Sequence, residues 1–220
     1  MTKTVFFDLD GTLTDSKEGI LNALHYSFTQ MHYPLPDQDT LMKFIGPAIP
    51  DSLRQFTTMT DAATIHEFIA TFQVYYAKQG WSENKRFPGI LQMLQALQQA
   101  DYQVAVATAK PEKFSVKICD HFGFTPYLFG ISAATNDEVT RTQKADIIAY
   151  GLEEFHVQDR ANTVMVGDRF SDIQGGQAND LKTIGVTYGF GTTAELQGAK
   201  ATCLVPTVAA LTQTLLDWRF

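Results

Sequence analysis

After Pro88 the chain settles into one repeating alternation, and that alternation constrains its fold more than any other feature. VAVAT at 104–108, a run around Phe129–Ser132, TVMVGD at 163–168 and KTIGV at 182–186 are short and apolar, and most are rich in β-branched residues. Helical stretches at 90–100, 112–122, 142–151 and 171–178 precede or separate them, the first carrying Ile90, Leu91, Leu94 and Leu97 on one face. Short apolar runs of this kind read as buried strands. Strands joined through helices pair in parallel by right-handed crossovers. The run TVFFD at 4–8 adds a further central strand. The expected fold class is α/β, a doubly wound parallel sheet.

Between the first strand and the rest lies a block of another kind. Ser16 stands before a stripe of Ile20, Leu24, Phe28 and Met31, and Pro34 and Pro36 follow. Further helices are expected at Asp39–Phe44, stopped by Gly46-Pro47, at Asp51–Phe56, and at Asp61–Lys78, closed by Gly80. The last of these presents Ile65, Phe68, Ile69, Phe72, Tyr75 and Tyr76 at helical spacing, which reads as packing rather than as a platform for a base. The polar stretch 81–87 is the return linker. Residues 1–14 and 85–220 are therefore expected to form the α/β core, with 15–84 a helical insertion.

Parallel sheets hold ligands outside the carboxyl ends of their strands, and acidic residues gather there. DLDGT places Asp8 and Asp10 where the first strand ends, and GDRFSD places Asp168 and Asp172 at the end of another. Residues two apart on an extended chain face the same side, and Gly11 permits the turn that follows. Like charges brought together in a partly buried place repel unless a cation joins them. An all-oxygen ligand set suits Mg2+. A calcium loop is excluded, because the sixth position from Asp8 is Leu13 and the twelfth is Gly19.

Thr108 and Lys144 bring a hydroxyl and a cation to this acidic place, and are suited to hold phosphoryl oxygens. Asp8 is then placed to attack phosphorus, and Asp10 to pass a proton to the leaving oxygen and later take one from water. Lys110 reads equally as a second phosphate contact or as a helix-start cation. Arg54 is a candidate for a substrate's anionic group, although an exposed arginine is the preferred reading. Arg169 is expected to pair with neighbouring carboxylates.

The formal net charge of −7 argues against a nucleic-acid backbone or an anionic membrane as the partner. Cys119 and Cys203 read as two buried thiols in a reducing compartment. No apolar run approaches the length of a membrane span, and a cytoplasmic location is expected. GFGTTA at 189–194 has the letters of a dinucleotide loop but comes at the expected end of the sheet, with no further βαβ unit foreseen and no acidic residue about twenty positions on, so it reads as a loop beneath the helical insertion. None of the five histidines pairs with another at metal spacing.

DLDGTLTD, the strand-ending threonine of VAVATAK, the lysine of TQKADII and GDRFSD occur in order, and together they resemble the four signature motifs of the haloacid-dehalogenase-like phosphohydrolases. The resemblance implies a Rossmann-like core with an inserted α-helical cap domain. It implies Asp8 as nucleophile and Asp10 as acid/base that also lends its backbone carbonyl to Mg2+. It implies phosphate-holding Thr108 and Lys144, and metal-ligating Asp8, Asp168 and Asp172, the last directly or through water. FIGPAI, FPGI, ATAKP and VTYGFGT look most like the branch of phosphoglycolate phosphatases and bacterial 5'-nucleotidases. The expected partner is then a small phosphorylated metabolite or a nucleoside monophosphate, met by a monomer or homodimer. A sugar-phosphate mutase or inorganic pyrophosphatase of the same fold, or a non-catalytic phosphate-binding module, are the alternatives.

Overall fold

A computed structural model describes residues 2–137 and 140–218. The chain divides into two compact units, Met1–Thr14 with Arg86–Phe220, and Asp15–Lys85.

The first unit is built on a six-stranded sheet in the order β5-β4-β1-β6-β7-β8. Its strands are β1 (Thr4–Phe7), β4 (Gln103–Pro111), β5 (Gly130–Ala134), β6 (Thr163–Gly167), β7 (Lys182–Val186) and β8 (Cys203–Val205). Every neighbouring pair is parallel. Helices α5 (Ile90–Gln99), α6 (Glu112–His121), α7 (Lys144–Glu154), α8 (Phe170–Ala178), α9 (Thr193–Gly198) and α10 (Val208–Asp217) make the crossovers and flank the sheet. β1 and β6 are buried along their whole length, because a parallel sheet covered on both faces leaves no solvent side for alternation. Phe6, Ala105, Met165, Ile147, Ile148 and Leu152 belong to one apolar cluster, a core shared by β1, β4, β6 and α7.

The doubly wound parallel sheet is as the sequence implies, with three corrections. β4 runs on past Thr108 to Pro111, its register on β5 shifting between those residues. The sheet does not end at β7, because α9 and β8 form a further βαβ unit, with Ile184 opposite Cys203. CLV is too short to show a period. Third, Cys203 is only half-buried, whereas Cys119 is buried in α6, where the apolar surroundings push its thiol up to about 12 and leave it unreactive.

The second unit holds α1 (Lys17–Gln30), α2 (Gln38–Met42), α3 (Ile49–Phe56) and α4 (Ala62–Lys78). Asp37 and Asp61 cap α2 and α4 by accepting backbone N–H groups. α1 packs on α4 through Phe28 and Phe68, edge to face at 4.9 Å. α1 stops at Gln30, so Met31 lies beyond the stripe, and His32 turns the chain with φ 57°. Gly80 opens a short 3-10 turn rather than closing α4, which ends at Lys78 and is capped by Gln79. Phe68, Phe72 and Tyr76 are buried, so these aromatics are packing. The short paired strands β2 (Thr14–Asp15) and β3 (Lys85–Arg86) carry the chain out of the sheet unit and back.

Candidate active site

Register brings the sequence-predicted residues together. Phe7 lies opposite both Val106 on β4 and Val166 on β6, so Asp8, Thr108 and Asp168 follow at the same end of three adjacent strands. The pairing continues past β1, since the Asp8 N–H donates to the Val166 carbonyl at 2.9 Å. Asp8, Asp10, Thr108, Lys110, Lys144, Asp168, Arg169 and Asp172 are all buried.

The chain then turns sharply. The Leu9 carbonyl accepts from the N–H groups of Leu13 at 3.0 Å and Thr14 at 2.9 Å. Gly11 takes φ 84°, a conformation that favours glycine, and a Cβ placed on it would stand 2.3 Å from Asp168 Oδ2. Gly11→Ala is expected to lower thermal stability by about 1–3 kcal/mol from the backbone alone. It should also displace the Asp168 carboxylate, read as weaker stabilisation by Mg2+ in a melting series.

Lys144 is the first residue of α7, where a cation opposes the helix dipole. Its ammonium lies 2.8 Å from Asp8 Oδ1 and 2.8 Å from Asp172 Oδ1. The same ammonium donates to the Ala107 carbonyl at 3.1 Å. Burial alone would push the Lys144 pKa down, but the charges of Asp172 and Asp8 hold it above the usual lysine range. Burial raises the Asp8 carboxyl to about 6, with Lys144 opposing and Asp172 adding to the shift. Asp168 is also held well above the usual carboxylate range, by burial first and then by Asp172 and Asp8.

Asp168 is fixed by groups that sequence reasoning did not name. Its Oδ2 accepts from the backbone N–H of Phe190 at 2.7 Å and of Gly191 at 3.3 Å, and its Oδ1 from the Thr12 hydroxyl at 3.4 Å. The Tyr188 hydroxyl in turn donates to the Thr12 carbonyl at 3.0 Å. A Cβ on Gly191 would stand 1.8 Å from the Asp168 carbonyl oxygen, so only glycine lets this loop approach. The signal was in GFGTTA, whose glycines bring the backbone close to a carboxylate rather than to a dinucleotide. Asp172 reaches back from the first turn of α8 to accept the Arg169 N–H at 3.0 Å. Asp168 precedes the helix, and its carboxylate lies in the same cluster as that of Asp172.

Asp8, Asp168 and Asp172 each offer a carboxylate oxygen, and these lie within 4.8 Å of one another. The set is all oxygen, anionic and buried, which fits a small hard divalent cation. Asp10 stands beside it with Oδ2 on Lys110 Nζ at 2.8 Å and Oδ1 buried without a hydrogen-bond partner. Lys110 is thus not a helix-start cation; it lies in β4, buried against Asp10. Thr108 Oγ1 accepts the Lys110 N–H at 3.3 Å. Arg54 is exposed on α3 and pairs with Asp51 at 3.4 Å, in line with the preferred surface reading. Arg169 does pair with a carboxylate, that of Glu195. Among the described residues no helix is long and apolar enough to cross a membrane.

A family model described as haloacid dehalogenase-like hydrolase matches residues 5–186. Over 211 residues the chain is 35% identical to a 5'-nucleotidase of Pseudomonas aeruginosa, covering 96% of this chain and 94% of that protein. It is 34% identical over 187 residues to the tyrosine-protein kinase PtkA of Mycobacterium tuberculosis, covering 85% of this chain but only 62% of that longer relative. The solved structure of a predicted phosphatase from Clostridium acetobutylicum superposes with a TM-score of 0.93 at 35% identity, covering 99% of both chains.

Proposed function

The chain belongs to the haloacid dehalogenase-like hydrolases, and from that premise we propose that it is a Mg2+-dependent phosphatase of small phosphate monoesters that works through an aspartyl phosphate on Asp8. The observation that carries this reading is the buried trio Asp8, Asp168 and Asp172 at the carboxyl end of the central strands, with the Lys144 ammonium paired to Asp8 and Asp172. A bound Mg2+ supplies positive charge against the phosphoryl oxygens. Asp8, Asp168 and Asp172, with the Asp10 backbone carbonyl, would hold it.

The chain's own groups do the rest. Lys144 and Thr108 hold phosphoryl oxygens, offsetting charge as it shifts in the transition state. An Asp8 carboxylate oxygen bonds to phosphorus while the bond to the leaving oxygen breaks, and Asp10 gives that oxygen its proton. Asp10, now a carboxylate, takes a proton from water as the water oxygen attacks phosphorus. The bond to Asp8 then breaks, inorganic phosphate leaves, and Asp10 is protonated again. The helical unit, residues 15–84, acts as a cap that selects the substrate and excludes water. Similarity to a 5'-nucleotidase over nearly the whole chain favours a nucleoside monophosphate over phosphoglycolate. The enzyme acts in the cytoplasm as a monomer or homodimer.

Phosphate release from AMP and other nucleoside monophosphates, phosphoglycolate, glucose phosphate and pyrophosphate tests the reading. Turnover on at least one monoester is expected with Mg2+, falling at least about 100-fold in EDTA. Release that ignores EDTA would sink the metal-dependent mechanism. Isomer formation without net phosphate would indicate a mutase, and transfer from ATP to a tyrosine peptide without hydrolysis would replace the phosphatase reading with a kinase.

A further inference from the structure

Arg169 lies between two carboxylates of the acidic trio, next to Asp168 in sequence and three residues before Asp172. Its side chain is only 11% exposed, and its charge already pulls on the Asp168 carboxyl. A guanidinium so placed has a natural alternative partner in that carboxylate, and an arginine fork on a carboxylate occupies the oxygens that a divalent cation needs. In the structure its Nε donates instead to Glu195 Oε1, at 2.8 Å.

Glu195 is well anchored for this. The same oxygen accepts the Phe170 N–H at 2.9 Å, at the start of α8, so two donors converge on it. Its own N–H donates at 3.1 Å to the hydroxyl of Thr192, the cap of α9. The carboxylate is thereby tied at both ends, to α9 through its backbone and to the Arg169-Phe170 segment through its side chain.

We infer that Glu195 is a positioning residue that holds the Arg169 guanidinium off the acidic trio, keeping Asp168 and Asp172 available to a divalent cation. The inference rests on the metal-binding part of the proposed function. Glu195 acts through Arg169, with which it pairs at 2.8 Å.

The test is Mn2+ binding to the metal-free, substrate-free protein, read from the electron paramagnetic resonance signal of free Mn2+, with thermal melting alongside. Glu195→Ala is expected to weaken Mn2+ about 10–100-fold, the range for losing a group that orients metal ligands. Adding Arg169→Met to Glu195→Ala is expected to restore affinity to within about threefold of the parent, because the competing cation is gone. Glu195→Gln keeps the volume and an acceptor oxygen but not the charge, and should weaken Mn2+ in the same direction by a smaller factor. It carries the test if the alanine variant does not fold. Unchanged Mn2+ affinity in both single variants would overturn the inference, as would a double variant that binds no better than Glu195→Ala. A parent protein that binds no Mn2+ would overturn the metal reading itself, so the two failures are told apart.

Discussion

Asp8→Asn is expected to leave the protein folded and, with Asp8 as the proposed nucleophile, to remove about three to six orders of magnitude of phosphatase turnover, equivalent to about 4–8 kcal/mol of transition-state stabilisation. The amide has the shape of the carboxylate, so the strand end and its N–H bond to Val166 persist. It has no anionic oxygen, so the proposed acyl phosphate would not form. The stability arm is as informative. The Asp8 carboxyl is raised to about 6 by burial, above its unfolded value, so in metal-free protein its ionisation above that pH opposes folding. A neutral amide removes that opposition, while Lys144 keeps Asp172 and the Ala107 carbonyl. In EDTA at pH 7.5 the variant is therefore expected to melt at or slightly above the parent temperature, and to gain less from added Mg2+. Turnover within tenfold of the parent would remove Asp8 from the nucleophile's role.

Lys144→Met is expected to destabilise the metal-free protein by about 3–5 kcal/mol, the usual consequence of removing one partner from a buried ionic cluster. For a chain of this size that is a fall of roughly 10 °C in melting temperature. Methionine preserves most of the stem, so the loss is chiefly electrostatic. Asp8, Asp168 and Asp172 would face one another without the ammonium 2.8 Å from two of them. Two features separate this from ordinary core damage. The deficit should narrow from pH 8 to pH 5, because Asp8 and Asp168 already hold protons more tightly than usual and neutralise first as pH falls. It should also narrow with Mg2+, which replaces the missing positive charge. Circular dichroism melts in EDTA and in Mg2+ at the two pH values check both. A deficit independent of pH and metal would show that Lys144 matters through packing alone.

How much of this was legible beforehand depended on whether the signal was local. Asp8, Asp10, Asp168 and Asp172 were found because strand-ending carboxylates after apolar runs are visible within a few residues. Lys144 carries no such local signal, and it is its place in the order of motifs, in TQKADII, that singles it out. For Lys110 the local pattern offers a phosphate contact or a helix-start cation; its place in β4 removes the second, and its pairing with Asp10 comes from a distant segment. Glu195 was not considered, because nothing near it in sequence points to Arg169.

Local pattern carried the order of strands and helices from Pro88 to Val186, the run of helices between the first strand and the rest, and the acidic strand ends. Those are periodic or adjacent-residue properties, set by backbone geometry over one or two turns. Only the tertiary structure decided that the Lys144 ammonium bridges Asp8 and Asp172, that Phe190 and Gly191 donate to Asp168, and that β8 extends the sheet beyond β7. Each of those partnerships joins distant segments, and its distance is set by sheet register and crossover packing, which no local pattern encodes.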